Sequence, residues 1–414
     1  MKEKKEALLS PVLRWFMFAM VLANISAEMS VMLFALHLAN LGADLTQIGL
    51  VYTLIAVISL VLQIFGGWVS DSIGRLKAVA IGSVGGVVSV FAVALAPTWQ
   101  WFVVAMILNQ FPRALIGPSF SAFIAENSKE ENRGKVYGVT DMIYTICGIT
   151  GPALGGLLSD QFSFSLVFWA AAFLYAAAAV VRIWMARTMK SARTNHTQEL
   201  SLKSFGGNIK TLVTMILGGG IITWIFLTDG VRDAAYSLSR NIEPLYLKQI
   251  IGLNTTQIGL LGSIFSVAML GTPLISGKLS DKYGERVPLS AGFLMIFIAY
   301  TIFLFSSSYL PFIFVWTIFG LGVGLLSPAY SSLISKVVPH DKLGVFNGVF
   351  YGAIGLIALP APYLGTVMWE QISPKSPFFA AALVSLLTII PIWFKFRLPK
   401  KEETSIIAVG EAAE

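Results

Sequence analysis

Stretches of roughly 20 apolar residues recur along nearly the whole chain, and a helix of about that length is what the hydrocarbon core of a bilayer requires. Backbone inside lipid must satisfy its own hydrogen bonds, which leaves helices or a closed barrel. Twelve helical spans can be read, over 12–40, 46–69, 77–96, 99–126, 134–158, 163–187, 219–248, 256–279, 287–306, 309–336, 343–367 and 376–396. They are numbered helix 1 to helix 12 in that order. Composition rules out a soluble domain: 56% of the 414 residues are hydrophobic and 12% are charged, about half the charge of a soluble chain. The mean hydropathy is +0.76. The basic segment MKEKKEALLSPVLRW runs into a full apolar helix without a small-residue cleavage site, so it reads as an uncleaved first span.

The net charge of +7 follows the topology. Lys2, Lys4, Lys5, Arg14, Arg75, Lys77, Lys129, Arg133 and Lys135 fall on one side, together with Arg187, Lys190, Lys278, Lys282, Arg286, Lys336, Lys342 and Lys395. The loops APTWQW and SSSYLP on the other side carry neither Lys nor Arg. By the positive-inside rule both termini are cytoplasmic, in a multi-pass protein of the cell membrane. Since topology accounts for the basic residues, the expected environment is the lipid bilayer and no nucleic-acid partner is implied.

The two halves of the chain align without a gap at an offset of 210 positions. Thr46-Gln47-Ile48-Gly49-Leu50 returns as Thr256-Gln257-Ile258-Gly259-Leu260, and Gly67, Ser70, Asp71 and Gly74 return as Gly277, Ser280, Asp281 and Gly284. Pro118, Gly138, Pro152 and Gly155 return as Pro328, Gly348, Pro362 and Gly365. An even number of spans separates matching points, so the halves share one orientation. Such parallel repeats place a substrate path between them. The expected organisation is a six-helix bundle over 1–187, a cytoplasmic linker over 188–211, a second bundle over 212–398 and a cytoplasmic tail over 399–414.

Between helices 2 and 3, Gly67-Trp-Val-Ser-Asp71-Ser-Ile-Gly74-Arg75 resembles the cytoplasmic signature loop of the major facilitator superfamily. Gly277-Lys-Leu-Ser-Asp281-Lys-Tyr-Gly284-Glu285-Arg286 is similar to it, with Glu285 where the pattern prefers a base. The glycines permit a turn with positive φ, and a carboxylate there can face the positive N-terminus of a helix in the other half. By pseudo-symmetry Asp71 is expected to face the start of helix 11 and Asp281 the start of helix 5, as gate contacts. In helix 5, Gly138 and then Gly151-Pro152-Ala-Leu-Gly155-Gly156 look like the antiporter motif of the drug:proton exchangers in that superfamily, with Cys147 where the pattern has glycine. Read without the family, the same run is a close-packing seam. Arg113-Ala-Leu-Ile-Gly117 in helix 4 is similar to that group's second motif, which implies a part for Arg113 in proton coupling. The resemblance implies an all-α fold of 12 transmembrane helices in two pseudo-symmetric six-helix bundles, acting as a monomer.

Ionisable side chains inside the bilayer are costly and normally face a partner or water. Helix 1 carries Glu28 with Asn24 one turn before it, helix 4 carries Arg113 with Asn109 one turn before it, and helix 5 carries Asp141. The family places helices 1, 4, 7 and 10 around the cavity, so Glu28 and Arg113 are candidates to meet there. Burial disfavours a charged carboxylate and a nearby arginine favours it, so such a pair suits a site that gains and loses a proton. The alternatives are a substrate-binding carboxylate and a structural ion pair. Helix 7 carries Asp229, Arg232, Asp233, Tyr236, Arg240 and Glu243 at spacings of three or four, one polar face on a helix. That face reads as cavity lining that recognises a polar or charged solute, or as a salt-bridge ladder. His37, near the end of helix 1, reads as an interfacial residue.

No zinc spacing, nucleophile elbow or phosphate-binding glycine loop is present, so neither an enzyme nor an ATP-driven pump is indicated, and no metal or cofactor is expected. The functional expectation is a proton-coupled exporter of small organic molecules or drugs, with proton or sodium as coupling ion. A proton-coupled importer of a polar metabolite and a non-transporting membrane sensor are the alternatives.

Overall fold

The structure of the protein, a computed structural model, describes residues 8–188, 218, 220–338 and 343–397. The expected linker beyond Thr188 and the tail over 399–414 lie outside the described residues. Helix 1 is Pro11–Val31 continued by Phe34–Asn40, helix 2 is Leu45–Ile73, helix 3 is Arg75–Leu95, and helix 4 is Trp99–Leu108 with Gln110–Glu126. Helix 5 is Arg133–Gln161 and helix 6 is Phe164–Thr188. In the second half, helix 7 is Ile221–Arg240, followed by a short turn Glu243–Leu245 and a π-helical turn Tyr246–Ile250. Helix 8 is Thr255–Met269 with Thr272–Tyr283, helix 9 is Arg286–Phe305 and helix 10 is Tyr309–Val337. Helix 11 is Leu343–Ala358 with Ala361–Gln371, and helix 12 is Ser376–Lys395.

Among the described residues, 10 helices are long and apolar enough to cross a membrane. The two spans outside that set are helix 4, which is split at Asn109, and helix 7, which carries the polar face. They are also the spans with Arg113 and with Asp229, Arg232 and Asp233. Apolar side chains such as Val180, Leu274, Phe314 and Phe394 are exposed on the outer surface, as a lipid-facing belt requires.

Proline explains three of the four broken helices. Leu108, Met269 and Ala358 each end a segment four residues before a proline, namely Pro112, Pro273 and Pro362. A proline ring clashes with the carbonyl four residues back and offers no N–H to it. At helix 8 the chain turns through Gly271, whose φ is 78°, a left-handed conformation that only glycine adopts cheaply. The break in helix 1 has no proline. There Ser30 Oγ donates to the carbonyls of Ser26 at 3.0 Å and Ala27 at 3.1 Å, a side-chain bond that bends helices. Pro152, Pro328 and Pro391 lie within unbroken helices, and Pro118 lies inside the second segment of helix 4 without breaking it further.

Packing repeats every six helices. Helix 1 packs on 5 and 6, helix 3 on 4 and 6, and helix 2 on 4; likewise helix 7 packs on 11 and 12, helix 9 on 10 and 12, and helix 8 on 10. The repeat extends to single contacts at the 210-residue offset. A Cβ on Gly82 would stand 2.8 Å from Ile116, and one on Gly292 would stand 2.6 Å from Leu326. Arg75 Nε pairs with Glu126 at 3.2 Å, and at the equivalent positions Glu285 pairs with Lys336 with the charges exchanged. Glu285 is buried and also accepts from Ser332 Oγ at 2.8 Å. Its departure from the signature pattern is therefore compensated by the lysine on helix 10.

Candidate functional site: the cavity between the halves

The halves meet mainly through helix 5 against helix 8 and helix 2 against helix 11. These contacts lie away from the basic face, the face that holds Arg75, Arg133 and Arg286. At the rim opposite that face, Thr46 Oγ1 donates to Glu370 Oε2 at 2.6 Å and Thr256 Oγ1 donates to Asp160 Oδ2 at 2.9 Å. The two bonds are pseudo-symmetric mates, since each residue of one lies 210 positions from its counterpart in the other. Deeper, Ser263 Oγ donates to the Ile149 carbonyl at 2.6 Å, and the Tyr363 N–H donates to Thr53 Oγ1 at 3.2 Å. Thr53 and Ser263 are equivalent positions as well. Tyr363 has a free N–H because it lies in the first turn after the break in helix 11.

The glycine-rich run of helix 5 faces two ways. A Cβ on Gly151 would stand 2.3 Å from Glu28 Cβ, and one on Gly155 would stand 2.0 Å from the Met29 carbonyl oxygen, both on helix 1 of the same half. A Cβ on Gly156 would stand 2.4 Å from the Thr255 carbonyl oxygen on helix 8 of the other half, and one on Gly259 would stand 2.3 Å from the Pro152 carbonyl oxygen. The absence of side chains therefore lets helix 5 lie directly between the backbone that carries Glu28 and the opposite half. Gly138 faces open space instead. Cys147 is buried, with Sγ 3.7 Å from the Val21 carbonyl of helix 1.

Beside this seam, between the halves, lies a cavity of about 500 Å³ whose walls include Glu28, Met32, Tyr52, Arg240, Glu243 and Trp316. A second cavity of about 280 Å³ lies in the second half and is lined by Asp229, Arg232, Asp233 and Tyr330. Tyr236, Phe265, Tyr300 and Phe319 line both. The polar face of helix 7 is thus divided between the two, with Tyr236 at the junction. Arg232 Nη2 lies 2.7 Å from Asp229 Oδ1 and its guanidinium 5.6 Å from the Tyr330 ring centroid. Arg240 stands 5.5 Å from the centroid of Tyr236.

Glu28 and Arg113 form no ion pair or hydrogen bond with each other. Arg240 lines the same cavity as Glu28, so the second half places a cation in the cavity that holds the carboxylate of the first. Neither asparagine reaches Glu28: Asn24 Nδ2 donates to its own helix at the Met20 carbonyl, 2.9 Å away, and Asn109 Nδ2 donates to Ser89 Oγ of helix 3 at 2.9 Å. Asp141 is exposed and outside both cavity walls. Two buried groups were missed or misplaced by sequence reasoning. Arg182 of helix 6 is buried, 3.3 Å from Ser83 Oγ and 5.9 Å from the Tyr175 centroid. His37 is buried rather than interfacial, packed between Phe102, Phe164 and Phe168.

At the basic face, Gly74 and Gly284 have φ of 91° and 82° and turn helix 2 into helix 3 and helix 8 into helix 9. Asp281 is exposed, and among the described residues it has no hydrogen bond or ion pair with the start of helix 5 in this conformation. A Cβ on Gly277 would meet open space, and Arg286 lies 5.0 Å from the centroid of Trp393. The side chains of 64–72, among them Gly67 and Asp71, lie outside the described residues.

A chain whose described elements are helices in two repeated bundles, with an apolar belt and a cavity between the halves that holds Glu28, Arg240 and Glu243, belongs to the class of membrane transporters. The model of the Major Facilitator Superfamily matches residues 16–239 and 225–412, and the chain belongs to that family. It is similar to the multi-drug resistance efflux pump PmrA homolog of Lactococcus lactis, at 25% identity over 84% of this chain and 85% of that one. It is also similar to the quinolone resistance protein NorA of Staphylococcus aureus, at 20% identity over 83% of this chain and 86% of that one. Among solved structures, a peptide transporter in complex with alafosfalin shares the fold with a TM-score of 0.73 at 15% identity, covering 94% of this chain and 96% of that one. A D-xylose–proton symporter does so with 0.69 at 14%, covering 93% and 97%.

Proposed function

We propose that this chain is a proton-coupled exporter of small organic molecules, working as a monomer in the cell membrane by alternating access of the central cavity. The observation that carries the reading is the position of Glu28. It lines the cavity, and its backbone rests on the glycine-rich run of helix 5 that also packs on the other half. Its relatives named as efflux pumps favour export over import.

With the basic face cytoplasmic, the described conformation is closed to the outside by the two threonine–carboxylate bonds and by the seam of helices 5 and 8. Substrate enters from the cytoplasm while Glu28 is ionised. Opening to the outside separates the seam, and a proton taken up by Glu28 there weakens the hold on substrate. The protonated protein returns, and Glu28 releases its proton to the cytoplasm. The signature loops at Asp71 and Asp281 close the cytoplasmic side in the other conformation. Sodium in place of the proton is the variant to separate.

The test is proton flux in proteoliposomes carrying an internal pH reporter, with lipophilic cations, neutral drugs and polar metabolites added in turn. Substrate-triggered proton movement opposite to the solute, lost in Glu28→Gln, is expected. Movement in the same direction means an importer, and dependence on sodium without proton movement replaces the coupling ion.

A further inference from the structure

The two halves finish differently at the basic face. In the first half, Leu76 of helix 3 and Met185 of helix 6 belong to one apolar cluster, at 4% and 0% exposure. Their mates at the 210-residue offset are Arg286 of helix 9 and Lys395 of helix 12. Two core positions of the repeat are thus cations in the second half. Each stands over an indole: Arg286 lies 5.0 Å from the Trp393 centroid, and Lys395 lies 5.4 Å from the centroid of Trp224. Trp393 and Lys395 are two residues apart on helix 12, about 200° around its axis, so the first pair joins helix 12 to helix 9 and the second joins it to helix 7. A ring positions a cation without neutralising it. Among the described residues, Arg286, Lys395 and the exposed Arg397 have no ion pair. Glu285, beside Arg286, is committed to Lys336 and Ser332.

We propose that the groove between the ends of helices 9 and 12 binds an anionic phospholipid, with Arg286 as the ligand of its phosphate. Lys395 and Arg397 supply the further charge that draws it there. A guanidinium presents paired donors that match phosphate oxygens, and its place over Trp393 holds it ready for them. The depth fits a headgroup. Arg286 opens helix 9 and Trp393 lies in the last turn of helix 12, at the membrane boundary where indoles collect. Deeper in the membrane the exposed side chains of both helices are apolar, Leu294 and Ile298 on helix 9, Leu387 and Ile390 on helix 12, as acyl chains require. A soluble anion would gain nothing from that surface. The general excess of basic residues on one side does not account for the site, because loop residues satisfy that bias. Arg286 and Lys395 instead occupy positions that are apolar core in the other half.

The inference is independent of what the chain transports and in which direction. The full chain in mild detergent is titrated with phosphatidylglycerol and with phosphatidylcholine of the same acyl chains, and bound lipid is counted by native mass spectrometry. The first phosphatidylglycerol is expected to bind at least fivefold more tightly than phosphatidylcholine. Arg286→Leu, which installs the residue of the first half, brings that preference below twofold and leaves phosphatidylcholine binding unchanged, which reports an intact fold. Arg286→Lys keeps a reduced preference, and Lys395→Met weakens it two- to threefold. Lys77→Met removes an exposed cation from the basic face of the first half and leaves the preference unchanged. Equal binding of the two lipids to the unaltered chain overturns the site, as does an equal loss of preference in Lys77→Met, which would make the attraction a property of the whole basic face. Displacement of the lipid by glycerol 3-phosphate at equal concentration would make it a soluble-anion site and overturns the lipid. So does a gain of fivefold or more on removing residues 399–414, since the tail carboxylates Glu402, Glu403, Glu411 and Glu414 would then be its occupants.

Discussion

Gly156→Ala separates the closed seam from the rest of the fold. The added Cβ would lie 2.4 Å from the Thr255 carbonyl oxygen and 3.1 Å from Gly259 Cα, both backbone atoms on helix 8. Non-bonded carbons prefer roughly 3.5–4.0 Å, so helices 5 and 8 must move apart by about 1 Å. Forcing one methyl into a packed contact costs about 1–3 kcal/mol. The contact is between halves, so the cost falls on the conformation closed opposite the basic face and is relieved when the seam opens. A bias of that size shifts the equilibrium about 5- to 150-fold. Gly155→Ala is the matched control, because its Cβ would lie 2.0 Å from the Met29 carbonyl within the same half. That clash persists in either conformation and lowers stability without selecting one. Ala35 lines the larger cavity and is buried, so Ala35→Cys with Cys147→Ser reports opening to a membrane-impermeant maleimide added outside. Gly156→Ala is expected to speed labelling several-fold or more, and Gly155→Ala to lower the melting temperature with labelling unchanged. Unchanged labelling in Gly156→Ala, or an equal rise in Gly155→Ala, refutes the reasoning.

Thr46→Val and Thr256→Val each remove one hydrogen bond between halves, worth about 0.5–1.5 kcal/mol. The two sites share no partner, so the double variant is expected to show the sum of the single shifts in the same labelling assay. Glu285→Gln weakens the pair with Lys336, whose side chain is 48% exposed. Solvent therefore reduces the cost below the ~3–5 kcal/mol of a fully buried pair, to about 1–3 kcal/mol. Because the first half holds the same contact with reversed charges, Glu285→Arg with Lys336→Glu is expected to recover melting temperature lost by Glu285→Arg alone.

Most of the fold was legible because lipid restricts the choice so strongly. The spans follow from hydropathy, and the repeat follows from direct matches such as Gly49 with Gly259. Three helix breaks were legible in principle from Pro112, Pro273 and Pro362, but Pro152 and Pro328 lie in unbroken helices, so the proline alone does not decide. The charge-exchanged pair of Glu285 with Lys336 had a sequence signal too, since Arg75 and Glu126 lie at the same offset. Comparing types at matched positions hid it, whereas comparing products of charge exposes it. Arg182 was obscured by the apolar run around it. The placing of Glu28 and Arg240 in one cavity depends on how the halves sit against each other, and local spacing carries no information on that. The polar face of helix 7 was visible as periodicity, but its division between two cavities depends on rings from helices 8, 9 and 10.

Proton coupling through Glu28 is tested most directly by comparing two transport modes of Glu28→Gln in proteoliposomes. Exchange of labelled for unlabelled substrate across the membrane at equal concentrations needs only the movement of the loaded cavity. Accumulation against a substrate gradient needs the proton. The account predicts that Glu28→Gln retains exchange within about a factor of ten, one protonation state being fixed, and loses accumulation driven by a pH gradient. Accumulation at the unaltered level in Glu28→Gln would contradict it.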